Sequence, residues 1–132
     1  MLEKILKEFM SHLELAPPTK DSLGFWILHL HHELRISVKE LPQGCYLYSN
    51  LVPYPTKKLE ELFVFLMQGN FLGEKTGEST IGLDFEEKFL TLSHVLPYEL
   101  DYKSFKESIE EFVNFLDYWR DEIEKFLKGA NT

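Results

Sequence analysis

The chain has 132 residues, 44% of them hydrophobic, which suits one domain with a packed core and excludes a disordered chain. Twenty-two acidic residues against 14 basic ones leave a net charge of −8, which repels phosphate backbones and anionic lipid, so nucleic acid is not an expected partner. No run approaches the 18 or so apolar residues of a membrane span, and the charged opening MLEKILKEFM does not read as a signal peptide. Cys45 is the single cysteine, so no internal disulfide can form. A reduced cytosolic domain over 1–132 is the expectation.

In the first segment Leu2, Ile5, Leu6, Phe9, Met10 and Leu13 recur at helical spacing, and Pro17-Pro18 stops the pattern. A first strand is expected within Gly24 to His32, where Trp26, Leu28 and Leu30 alternate with Phe25, Ile27, His29 and His31. Leu34 to Lys39 alternates as a second. Pro42-Gln43-Gly44 turns into a third from Cys45 to Ser49, which Pro53 and Pro55 close. These three can pair as an antiparallel meander.

Thr56 is placed to cap a middle helix. Along it Leu59, Leu62, Phe63, Val64, Phe65, Leu66 and Met67 sweep an apolar arc of about 260°, leaving only Glu60, Glu61 and Gln68 for water. A helix flanking a core needs a stripe nearer 100° wide, so the excess is expected to pack on a second copy of the chain. The helix breaks at Gly69-Asn70-Phe71 and passes through a turn at 73–80, where Gly73 and Gly77 permit positive φ. Two strands follow, around Ile81–Phe85 and Phe89–Val95. Asp101 then caps a closing helix whose stripe runs through Phe105, Ile109, Phe112, Val113, Leu116, Trp119, Ile123, Phe126 and Leu127 to a stop at Gly129. The class is α+β: helix, three-strand meander, dimer helix, two strands, C-terminal helix.

Four features together resemble the class I type III secretion chaperones, the Tir-chaperone family, over nearly the whole chain. They are the short amphipathic opening helix, the meander ending in CYLYSNLVPYP, the block FLMQGNFLGEKTGESTIGLDFEEKFLTLSHVLP, and the acidic closing helix FVNFLDYWRDEIEKF. Within the block, Leu66, Asn70-Phe71, Gly73 and Gly77, Gly82-Leu83-Asp84, and Leu90 with Leu92 stand where that family has its leucine-rich helix end, Asn-Phe pair, glycine loop, Gly-Leu-Asp strand and leucine strand. The HLHH segment at 29–32 matches no family pattern.

The resemblance implies a small acidic cytosolic homodimer that holds the N-terminal region of a secreted effector extended and export-competent, uses no nucleotide or other cofactor, and has the secretion ATPase as a further partner. On that basis Leu62, Leu66, Met67, Phe71, Ile81 and Leu83 are the expected dimer seam. Outward-facing apolar residues are the expected effector contacts, with Leu2, Ile5 and Phe9 on the first helix and Phe25 and Ile27 on the first strand. Each has a structural alternative: the Leu2-to-Leu13 stripe as a helix packed on its sheet, and Phe25 with Ile27 completing a strand buried on both faces.

Chemical sites find little support. His29, His31 and His32 form the one histidine cluster, but two ligands on a strand face do not make a metal centre. Cys45 with one of them could supply nucleophile and base, yet no glycine elbow accompanies it, and a buried reduced thiol is the plainer reading. GEKTG at 73–77 lacks the spacing and context of a phosphate loop. The carboxylates Glu107, Glu110, Glu111, Asp117, Asp121, Glu122 and Glu124 read as a solvated helix face with ion pairs to Lys106, Arg120 and Lys125. No enzymatic activity and no metal are expected. The alternative to a secretion chaperone is a small regulatory or adaptor protein that uses the same scaffold for a folded partner or peptide.

Overall fold

A computed structural model describes residues 2–31, 34–42, 44–56, 59–70, 79–84, 88–97 and 101–129. In chain order the elements are α1 (Leu2–His12), β1 (Thr19–Lys20), β2 (Trp26–His29), β3 (Arg35–Leu41), β4 (Gly44–Pro53), α2 (Leu59–Asn70), β5 (Thr80–Leu83), β6 (Phe89–Pro97) and α3 (Tyr102–Gly129). The strands form one sheet in the order β1-β2-β3-β4-β6-β5. The β1/β2, β2/β3, β3/β4 and β5/β6 pairs are antiparallel. The α+β class expected from the sequence is observed, and the element order is the expected one with a further short strand, β1, ahead of the three-strand meander β2–β4.

The differences are local. β1 follows Pro17-Pro18 and is too short to carry a period. β2 ends at His29, and β4 runs past Ser49 to Pro53, where the missing N–H of proline no longer matters to the ladder. α1 ends at His12 rather than at the prolines. Glu14 adopts a left-handed φ of 57°, and the Leu15 N–H donates to the Met10 carbonyl, a Schellman-type close that leaves Leu13 exposed. Gly73, Gly77 and the end of the Ile81–Phe85 expectation lie outside the described residues.

The chain divides into two compact units, each drawn from two segments, Met1–Ser49 with Val95–Glu110 and Asn50–His94 with Glu111–Thr132. In the first, α1 buries Leu2, Ile5, Leu6, Phe9 and Met10, and the Phe9 ring meets Phe105 edge to face at 5.7 Å. At the start of α3 the Asp101 carboxylate accepts the Ser104 N–H at 2.7 Å, the expected N-cap, and this bond holds its pKa below the usual carboxylate range. The Tyr102 hydroxyl hydrogen-bonds His12 Nδ1 of α1.

In the second unit Phe65 of α2 stacks on Phe126 at 5.0 Å and meets Trp119 at 5.7 Å, while Phe63 tilts against Tyr54. Arg120 of α3 donates from Nε to the Leu51 carbonyl at 3.0 Å and from Nη2 to the Asn50 carbonyl at 2.6 Å. The solvated side of α3 carries Asp121–Lys125 and Glu124–Lys128 ion pairs, each at 2.9 Å, four residues apart with the acid first.

Candidate functional site

Two surfaces concern the residues singled out in the sequence. On α2, Leu62 and Leu66 are turned inward at 0% and 4% exposure, and Leu59, Phe63 and Phe65 are half-buried. Val64 and Met67, one turn apart, stand out at 55% and 69% among Glu60, Glu61 and Gln68. The apolar arc is therefore only partly used by the chain's own core. Ile81 of β5 is buried and Leu83, two residues on, is 44% exposed. Of the residues expected at a dimer seam, Met67 and Leu83 are exposed, Leu62, Leu66 and Ile81 are buried, and Phe71 is outside the described residues.

The second surface is one face of the meander. Register puts Trp26 opposite Val38, Leu28 opposite Ile36, and Val38 opposite Leu47. That face is the core, with Leu28, Ile36, Val38 and Leu47 all fully buried. The other face carries Ile27 opposite Ser37 and Ser37 opposite Tyr48, Lys39 opposite Tyr46, and His29 opposite Arg35. Strand alternation adds Phe25 to it. Phe25 meets Tyr48 at 5.9 Å, Tyr48 stacks with Tyr46 at 6.3 Å, and the Lys39 ammonium sits over the Phe25 ring at 5.2 Å. Ile27 and Ser37 are buried in the middle row, the three rings and Lys39 are half-buried, and Arg35 and His29 are exposed. Asp21 belongs to the same face, but one of its carboxylate oxygens accepts the Leu23 and Phe25 N–H groups at 2.9 Å each, closing a turn in which Gly24 takes a φ of 89°.

The outward placement expected of Leu2, Ile5, Phe9 and Ile27 differs from what is seen. All four side chains are buried, the first three because the amphipathic stripe of α1 is fully taken up by packing; Phe25 alone of that set keeps accessible surface. Tyr46 and Tyr48, which share Phe25's face, were not singled out, although the alternation in CYLYSN signals it.

Cys45 pairs with Glu40 and lies on the core face, the opposite side of the sheet from His29. Burial, reinforced by the Glu40 carboxylate, pushes its thiol up to about 11, the reverse of what a nucleophile needs. His29 and His31 are exposed, and His32 is outside the described residues. Among the described residues no three His, Cys, Asp or Glu side chains are grouped to hold a metal ion, and no helix is long and apolar enough to cross a membrane.

Residues 4–120 match the Tir chaperone protein (CesT) family. The chain belongs to that family, the class I type III secretion chaperones. A Chlamydia pneumoniae protein, CPj0713/CpB0740, is 24% identical over 127 residues, covering 93% of this chain and 96% of its own. The fold is that of a chain in the ExsC–ExsE complex, with a TM-score of 0.75 at 15% identity and 91% coverage of both chains. It is also that of a chain in the HopA1–SchA chaperone–effector complex, with a TM-score of 0.67, 15% identity and coverage of 91% of this chain and 93% of that one.

Proposed function

We propose that this protein is a cytosolic type III secretion chaperone that binds the N-terminal region of a secreted effector, keeps it soluble and export-competent, and does no chemistry of its own. The family match over 4–120 carries this proposal. It is supported by the likeness in fold to a chain of the HopA1–SchA chaperone–effector complex. The buried, proton-retaining Cys45 fits a binding protein better than a catalyst.

The chaperone acts as a homodimer. Its seam is the outward side of α2, Val64 and Met67, with Leu83 of β5, and Leu62, Leu66 and Ile81 form the packed layer that holds these residues in place. Leu66→Asp would therefore test the fold of the chain, since it puts a charge where only 4% of the side chain is accessible.

Affinity purification of the tagged chain from its native cytosol, followed by limited proteolysis and mass spectrometry, decides the function. The expected outcome is a secreted protein whose protected stretch lies near its N-terminus while the remainder is cleaved as a free domain. Recovery of a fully folded partner docked through its globular surface would replace the chaperone with an adaptor on the same scaffold.

A further inference from the structure

The outer face of the meander joins an apolar row to two cations that have no carboxylate partner among the described residues. In a molecule of net charge −8, Arg35 and Lys39 lie on the same face of β3 with no carboxylate paired to either among the described residues. Lys39 rests on the Phe25 ring instead. Among the described residues the charged groups on this face are Arg35, Lys39, His29 and Asp21, and the Asp21 carboxylate is engaged by two backbone N–H groups. Between the two cations runs the row Ile27–Ser37–Tyr48, flanked by Phe25 and Tyr46. Lys39 lies four residues along β3 from Arg35, about 13 Å at 3.3 Å per residue.

An extended peptide has the same period. Its residues i, i+2 and i+4 point to one side and also span about 13 Å. We propose that this face binds an extended client segment of the pattern acid-x-apolar-x-acid. Its central apolar side chain lies against the accessible rings of Tyr48, Phe25 and Tyr46, and its two carboxylates reach Lys39 and Arg35. Charge complementarity selects this occupant, since Arg35 and Lys39 stand beside the aromatic surface without a carboxylate partner among the described residues and disfavour a basic segment there. The proposal rests on the chaperone function and adds the chemistry of the client to it.

The probes are fluorescein-labelled dodecapeptides centred on Glu-Ser-Leu-Ser-Glu, with Gln or Lys in place of both Glu, titrated by fluorescence anisotropy at low and moderate salt. The Glu peptide is expected to bind about tenfold tighter than the Gln peptide, with the advantage shrinking as salt screens the charges. Lys39→Gln with Arg35→Gln should erase that preference, and Tyr48→Ala should weaken the Glu and Gln peptides alike. Lys125→Gln, an equal change of charge on α3, is the control and should leave both unchanged, with melting temperatures confirming that every variant is folded. Equal binding of the Glu and Gln peptides, or indifference to the Lys39/Arg35 pair, overturns the proposal, as does a fall in molecular mass in that variant, which would make the occupant a second copy. The two levels separate by co-purification. If the double variant recovers the secreted client as well as the unmodified chain does, the acidic-segment site is wrong and the chaperone function stands. Charge-dependent peptide binding with no secreted client recovered by any variant would leave the site and remove the function.

Discussion

At the scale of single residues, two side chains occupy positions whose cost can be measured. Glu14 holds a left-handed backbone, φ 57°, at the close of α1. For a residue with a Cβ this conformation costs about 1–2 kcal/mol, and glycine avoids it while giving back part of the gain in unfolded-chain entropy. Glu14→Gly should therefore raise stability by about 0.5–1 kcal/mol, a shift of a few degrees in melting temperature, and Glu14→Ala should give no such gain. Cys45 is the second. Its thiol is raised to about 11 from an ordinary value of 9.0 by burial first and by Glu40 second. The folded chain thus keeps a proton that the unfolded chain releases. The resulting stability is complete below pH 9, falls as pH climbs from 9 toward 11, and is spent above that. Iodoacetamide at pH 8 should label the native chain only at the rate at which it opens, and Cys45→Ala should flatten the part of the alkaline melting profile between pH 9 and 11. Rapid native labelling would show that the thiol is accessible.

At the scale of elements, Arg120 ties α3 to β4. One guanidinium donates to two successive carbonyls of β4, those of Asn50 and Leu51, and so holds two backbone acceptors of the strand at once. Lysine presents one ammonium on a flexible stem and cannot span both oxygens. Arg120→Lys and Arg120→Met should each cost about 1–3 kcal/mol in urea unfolding, and a lysine variant as stable as the parent would mean that the fork geometry is unimportant. This bond was invisible in the sequence, where Arg120 reads as one more charge on an acidic helix. What the chain order does reveal is whatever has a period: the stripes of α1 and α3, the alternation of β3 and β4, and the Asp101 cap. A two-residue strand such as β1 has no period to read. The end of α1 was misplaced because Pro17-Pro18 is a louder signal than an unmarked Glu in the left-handed region. Periodicity also shows which residues share a face without showing what that face meets. The period groups Leu2, Ile5 and Phe9, and their burial matches the packed-helix alternative for that stripe, while Tyr46 and Tyr48 gain meaning only once register sets them beside Phe25 and Lys39.

At the scale of the whole molecule, the question is what covers α2. Valine and methionine on a solvated helix face are tolerable singly, but Val64 and Met67 are neighbours at i and i+3, and the helix that carries them already spends Leu62 and Leu66 on its own core. Burying the exposed part of these two side chains in a symmetric seam recovers about 1–2 kcal/mol from each, counted on both copies, so the seam gains from every residue twice. An aspartate at either site would be desolvated in the dimer and free in the monomer. Val64→Asp and Met67→Asp should thus halve the mass seen by light scattering at micromolar concentration while the isolated chain stays folded by circular dichroism, because neither side chain belongs to its core. Leu66→Asp is the contrasting control and should unfold the chain itself. A monomeric parent, or aspartate variants that remain dimeric, would mean that the exposed side of α2 meets something other than its own copy.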